Sequence, residues 1–242
     1  MEFKEIIKTL RQDDEYYDGI GKKYLSNSNI ETLLKNPKQY GVPQQKTVAM
    51  LMGNAVHEIT FFGSTNLPAI DVSSRNTKAY KDRDVDGPVL LQKELDECHR
   101  IAETLRKTKA AEVLFEDANI YEEPMVKDLF GNGVLWKGKA DIISSVVNKI
   151  IDLKTTSNID SFASKARMYN YDSQAWIYKQ LFDLDMMFFV IEKDTMRMKQ
   201  IEVSDETLEK GKIKAIEAEQ NYLDMFVNKN IDPTQYVEYG II

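Results

Sequence analysis

The sequence predicts an α/β fold in which one mixed β-sheet is flanked by α-helices. Three observations carry this. Helical periods fill roughly the first half of the chain, a meander of short strands follows to about residue 156, and then come a helix, a strand pair and a closing helix. Neither a G-x-G-x-x-G run nor a Walker-type loop is present, so a doubly wound nucleotide-cofactor fold has no support. The 242 residues are 43% hydrophobic, enough for one domain over 1–242 with a core of its own.

Each element has a local reason. "YLSNSNIETLLKNPKQYG" places Ser28 three residues before Glu31, a capping-box spacing, and Pro37 stops that helix near Asn36. "KTVAMLMGNAVHEITFF" reads as a longer helix with Ala49, Met52, Val56 and Ile59 on an apolar stripe. The polar, turn-rich residues 63–88 predict a long functional loop or a partly ordered one. "LQKELDECHRIAETLRKTKAAEVLF" is helical to about Thr108 and extended beyond it. "NIYEEPMV", "GVLWKGKADIIS" and "NKIIDLKTT" are strands joined by turns at "DLFGNG" and "SSVVN", where Gly and Asn accept positive φ. One or two helices across "SFASKARMYNYDSQAWIYKQLF" precede strands at "MMFFVIEK" and "RMKQIEV", and the last helix starts near Ser204. Met186, Met187, Met196 and Met198 read as core filling.

Composition excludes several functions. Cys98 is the one cysteine, which rules out a disulfide framework and any all-cysteine zinc or iron–sulfur site, and fits a reducing cytoplasm. No stretch has the length and apolarity of a membrane span, and the charged first residues do not read as a signal peptide. The net charge of −7 argues against a generally basic nucleic-acid coat protein. It leaves room for a nuclease, in which a divalent metal offsets cleft acids and a local basic patch meets phosphates. Arg75, Lys78, Lys81 and Arg83 in the polar loop are candidates for such contacts.

Residues 138–156, "GKADIISSVVNKIIDLKTT", place acids and a lysine within strands that look core-bound. Charges there are costly unless paired or bound to metal. Asp152 and Lys154 share one strand face by alternation, and a tight turn can bring Asp141 beside Asp152. Two adjacent carboxylates repel unless one is protonated or a cation lies between them. Mg²⁺ or Mn²⁺ suits oxygen ligands, lowers the pKa of bound water and neutralises charge on a phosphate. Lys154 would then orient the water or stabilise that charge. A surface Asp–Lys pair on a hairpin, worth little energetically, is the ordinary alternative, and the tripeptide alone does not decide between them.

With these residues in place the chain resembles the PD-(D/E)XK nuclease superfamily, and within it the exonuclease VIII (RecE) type of phage and prophage recombination exonuclease, kin to the RecB nuclease domain. Five segments carry the resemblance in order: "YLSNSNIETLLKNPKQYG", the G-x-A-x-H helix "MGNAVHEITF", "SSRNTKAYKD", the strand pair "KGKADII" and "IIDLKTT", and "YNYDSQAWIY" with its Gln174 and Tyr178 four residues apart. The acid before Lys154 is Asp rather than Glu, and Ala140 rather than Pro precedes Asp141. The chain as given corresponds to the nuclease domain alone.

The resemblance implies a restriction-endonuclease-like core and a site in which Asp141, Asp152, the Leu153 carbonyl and His57 ligate metal. Lys154 handles the attacking water, and Gln174 lies beside the site, touching the lysine or the DNA backbone. Gly53 and Ala55 would let the histidine helix lie close to the sheet. Tyr178, Arg75 and Lys78 are expected to contact DNA. Glu122 and Glu123 precede the metal strands; they are expected to be solvated strand acids, with an outer or alternate metal ligand as the other reading for one of them, and His99 is expected to be plain surface. The implied activity is Mg²⁺-dependent 5′→3′ digestion from duplex ends by a trimeric or tetrameric ring, with Mn²⁺ as a substitute metal and no iron–sulfur cluster. A RecT-like single-strand annealing protein is the implied partner, in the cytoplasm of a bacterial host. Rival readings are an endonuclease or single-strand-specific nuclease of the same superfamily, a catalytically inactive DNA-end-binding module, and a structural phage protein.

Overall fold

The computed structural model describes residues 3–83 and 86–237. Helices α1 (Phe3–Leu10), α2 (Asp13–Tyr17), α3 (Asn27–Lys35) and α4 (Val48–Phe62) open the chain. The polar segment expected as a loop carries β1 (Ala69–Ile70), α5 (Lys78–Lys81) and β2 (Leu90–Leu91), with β1 and β2 paired in parallel. After α6 (Gln92–Lys107) come β3 (Ile120–Asp128), β4 (Leu135–Ser144) and β5 (Lys149–Thr156). Then follow α7 (Phe162–Ala166), α8 (Tyr171–Phe182), β6 (Asp185–Glu192), β7 (Met198–Glu202) and α9 (Asp205–Tyr222). Among the described residues no helix is long and apolar enough to cross a membrane.

Caps fix the helix limits. Thr47 accepts a hydrogen bond from the Met50 N–H at the start of α4, and Gly63 closes that helix at φ 87°. Ser204 caps α9 through the Thr207 N–H. The α3 cap differs from expectation: Ser26 is the cap, and its reciprocal partner is Asn29 rather than the Ser28–Glu31 pair. The helix ends at Asn36 before Pro37, as the proline requires. Residues 109–114, expected as extended, form a 3-10 turn instead. Ala49 is exposed, while Met52, Val56 and Ile59 are buried together with Leu51 and Ala55.

The five main strands lie in the order β3-β4-β5-β6-β7. All neighbours are antiparallel except β5 and β6, whose parallel pairing needs the α7–α8 crossover between them. On one face, α4 and α6 pack through Val56, Ile59, Ile101 and Leu105 against Ile142, Ile151, Leu153 and Phe189. On the other, α8 covers Ile150, Phe188 and Val190, and α3 and α9 pack outside it. The observed architecture is the α/β sheet flanked by helices that the sequence predicts.

The sheet opens at one place. Strands β4 and β5 pair only at Ile142–Ile151, Ile143–Ile150 and Ser144–Lys149. Beyond that point they separate, and the vacated edge of β4 is met by Leu25, whose backbone bonds Leu135 and Lys137. The helical layer, by contrast, is tightest between α8 and α9. A Cβ on Gly211 would lie 2.1 Å from the Asp172 carbonyl oxygen, so this glycine lets α9 seat directly on α8. Gly211→Ala forces two backbones apart and is expected to destabilise the fold by about 3 kcal/mol. A lower urea midpoint with an unchanged m-value is the expected result; a midpoint equal to the parent would show that α8 and α9 can part freely.

Candidate active site

The split between β4 and β5 places the charged residues. Asp141 and Asp152 are the first residues past the last β4–β5 pair, one on each strand. The Leu153 N–H, left without a ladder partner on the β4 side, donates to Asp141 Oδ2 at 3.1 Å. Each carboxylate is then held from a different layer. His57 on α4 brings its Nε2 to within 2.6 Å of Asp141 Oδ2. Gln174 on α8 donates its Nε2 to Asp152 Oδ1 at 2.6 Å. The gap between the strands joins the two halves.

Of the two strand acids Glu122 and Glu123, Glu122 is the one that the structure brings to the candidate metal ligands, with its side chain still 33% exposed. It stands opposite Asp141, between the pairs Tyr121–Ile142 and Glu123–Ala140. Its φ is 52°, a left-handed conformation costly for a residue with a Cβ, by roughly 1–3 kcal/mol. The consequence is a break in alternation. Tyr121 and Ile142 face the α4–α6 core, yet their neighbours Glu122 and Asp141 also turn towards α4. Glu122 Oε1 reaches His57 Nδ1 at 3.3 Å, so the imidazole lies between two carboxylates. Glu123 pairs with Arg11, the residue after α1. The hairpin register through the "DLFGNG" turn is the one sequence signal that singles out Glu122, because that register sets it across from Asp141.

The electrostatics follow from burial and neighbours. Burial alone would push the His57 imidazole down, but Asp141 and Glu122 outweigh it and raise its pKa to about 10. Burial opposes the charge of Asp141, yet His57, Lys154 and the Leu153 N–H hold its pKa below the usual carboxylate range. Asp152 is pushed up to about 6, first by burial and then by Asp141, against the pull of Lys154. Its side chain is 2% exposed, and Oδ2 lies 2.5 Å from Lys154 Nζ without a well-aligned hydrogen bond. Lys154 is raised despite its burial, by Asp152, Asp141 and Tyr171. The Tyr171 ring lies 5.1 Å from the ammonium and packs on Phe162 and Phe188, which fixes the lysine's setting.

His57, Glu122 and Asp141 offer ligand atoms all within 4.8 Å of one another. An imidazole nitrogen with two carboxylates suits a divalent cation, and the unaligned Oδ2 of buried Asp152 adds an acceptor nearby. The residues present therefore fit a metal, which would have to displace the His57 proton. Asp152 itself lies outside that group of three. Lys139 Nζ, paired with Asp13, also stands 4.0 Å from Glu122 Oε2, a buried cation that the sequence did not single out.

The remaining sequence candidates are placed differently. Tyr178 spends its hydroxyl on the β4 backbone: it accepts from the Lys139 N–H and donates to the Lys139 carbonyl. Arg75 forms a two-pronged pair with Glu94 and also donates to the Val89 carbonyl, which ties the polar segment to α6. Lys78 is exposed in the first turn of α5. Gly53, expected to allow close helix–sheet packing, faces open space; close approaches between elements occur instead at Gly138 of β4 under α8 and at Gly211 of α9 against α8. His99 is exposed, as expected.

A mixed five-stranded sheet between helical layers, with an aspartate and an Asp-x-Lys tripeptide facing each other across a split between inner strands, defines a PD-(D/E)XK-like domain. The chain belongs to the family described as the PDDEXK-like domain of unknown function (DUF3799), whose profile matches residues 22–239. Among solved structures it is similar to a candidate exonuclease from Eubacterium rectale, at 18% identity and a TM-score of 0.63, over 96% of this chain and 95% of that one. A phage-related exonuclease from Haemophilus somnus 129PT is a weaker likeness, at 16% identity and a TM-score of 0.39, over 86% of this chain and 96% of that one. No curated protein matches the chain.

Proposed function

We propose that the protein is a divalent-metal-dependent deoxyribonuclease that hydrolyses phosphodiester bonds from the ends of linear duplex DNA. The observation that carries this reading is the His57–Glu122–Asp141 group beside the Asp152–Lys154 pair. His57, Glu122 and Asp141 would hold the metal, with Asp152 and the Leu153 carbonyl beside them. That carbonyl shares the side of β5 from which the Leu153 N–H reaches Asp141. Bound there, Mg²⁺ (or Mn²⁺ in its place) supplies Lewis-acid polarisation of the phosphate and a more acidic water.

The protein's own groups do the rest. Gln174 fixes the Asp152 carboxylate, so that its other oxygen faces Lys154. Lys154, kept charged by two carboxylates, donates to the attacking water or to a non-bridging phosphate oxygen. Water adds to phosphorus, the P–O ester bond breaks, and the leaving oxygen takes up a proton. The resemblance to exonuclease VIII supports 5′→3′ polarity, a closed trimer or tetramer around the duplex, and a RecT-like annealing partner in recombination. An acidic chain has little basic surface for long-lived attachment, and a closed ring would hold DNA topologically.

The test is digestion of linear duplex labelled separately at its 5′ and 3′ ends, with covalently closed circles as control and light scattering for the mass. Early loss of the 5′ label, intact circles and a mass of three or four chains are expected. A monomer that cuts circles as fast as linear DNA would make the protein an endonuclease; cleavage confined to single strands would assign it to that branch.

A further inference from the structure

Helix α4 contains an interior glycine that no contact among the described residues explains. A Cβ built on Gly53 would meet nothing within 4 Å. Its φ is not positive, and the ends of α4 are set by Thr47 and Gly63. Neither a turn, a cap nor close packing therefore asks for glycine there. Glycine inside a helix lowers stability relative to alanine, because the unfolded chain is freer. The remaining physical use of a missing side chain is the close approach of something that is not part of the chain.

The position says what that is. Gly53 lies one turn before His57, so the two share a face of α4, and helical side chains lean towards the N-terminus. His57 therefore leans towards the space that Gly53 leaves open, on the side from which it meets Glu122 and Asp141. At the N-terminal end of the same helix, the exposed Lys46 stands with its Nζ 6.0 Å from the ring centre of Tyr17. Tyr17 is itself exposed and 5.2 Å from Lys139 Nζ, a buried ammonium that is paired with Asp13 and stands beside Glu122. Lys46 with the exposed Tyr17 ring beside it, the open face at Gly53 and the ligand His57 thus follow one another along α4, with Glu122 and Asp141 at its far end. From Val48 to His57 the helical rise is about 14 Å.

We propose that Gly53 clears a track along α4 for one strand of the nucleic acid, so that its sugar–phosphate backbone runs from Lys46 and Tyr17 to the His57–Glu122–Asp141 group. This rests on the nuclease reading and names the path that substrate takes into the site.

The experiment compares Gly53→Ala and Gly53→Leu with the parent protein. Four quantities are read: thermal midpoint, Mn²⁺ affinity by calorimetry, binding of a fluorescent DNA duplex in Ca²⁺, and steady-state cleavage kinetics in Mg²⁺. Gly53→Ala is expected to raise the midpoint by about 1–4 °C, leave Mn²⁺ affinity within twofold, and raise KM more than it lowers kcat. Gly53→Leu is expected to weaken duplex binding at least tenfold with Mn²⁺ affinity kept. A Leu variant that binds DNA within twofold of the parent would overturn the proposal, and so would an Ala variant with a lowered midpoint. Should the Leu variant fail to fold, a loss of DNA binding graded from Gly to Ala to Ser supports the track, and equal binding by all three overturns it. A parent that binds DNA in a Gly53-dependent way but never cleaves it would refute hydrolysis while leaving the track in place. A parent that cleaves as proposed with variants indistinguishable from it would refute the track alone.

Discussion

Asp152→Ala and Asp141→Ala are each expected to lower DNA cleavage by about three orders of magnitude or more, the scale of losing metal-assisted charge stabilisation. The two losses have different origins. Asp141 accepts from both His57 and the Leu153 N–H, so its removal frees the imidazole and uncouples α4 from the strand split. Calorimetric Mn²⁺ binding should vanish in that variant. Asp152 sits between Gln174 and Lys154, and its removal leaves a largely buried ammonium facing one carboxylate fewer. Asp152→Asn separates charge from shape: it retains an acceptor for Gln174 and should be as inactive as the alanine variant. Full activity in either Asp152 variant would mean that the site is assigned to the wrong residues.

Lys154→Ala should reduce turnover by roughly 10²–10³-fold, while duplex-end binding in Ca²⁺ stays within about threefold of the parent. The reason lies in the lysine's surroundings. Its side chain is only 22% exposed and contacts Asp152, and the carboxylates keep it protonated despite burial. A protonated lysine donates hydrogen bonds and stabilises negative charge; it does not act as a base. It is also fixed, by Asp152 on one side and the Tyr171 ring on the other, so the charge is in place before substrate arrives. Single-turnover cleavage and fluorescence anisotropy separate the two readouts. A variant that binds DNA tenfold worse yet turns over normally would make Lys154 a phosphate clamp instead.

Much of the architecture follows from local rules. Period-2 stretches bounded by "DLFGNG" and "SSVVN" become β3, β4 and β5 because Asp128 accepts from three turn N–H groups and Gly131, Gly133 and Asn148 take positive φ. Pro37 ends α3 and Ser204 starts α9 for equally local reasons. Where the sequence misled, two local options were close. Ser26 and Ser28 both precede the same helix, and the choice of cap depends on Asn29 reaching back to the Ser26 N–H. Residues 109–114 have no period strong enough to choose between an extended segment and a 3-10 turn.

By itself the sequence determined the α/β order of elements, the shared face of Asp152 and Lys154, and the nearness of Asp141 to both, because strand alternation and short turns are set within a few residues. Only the tertiary structure decided that β4 and β5 part just past Ile142 and Ile151, that His57 reaches Asp141 from one layer and Gln174 reaches Asp152 from the other, and that Glu122 turns at positive φ to face the imidazole. It also decided that Gly53 faces open space while Gly211 carries the close helix contact. The His57–Asp141 and Gln174–Asp152 contacts join groups 84 and 22 positions apart in the chain. No local propensity encodes them, because they are fixed by which helix packs on which face of the sheet.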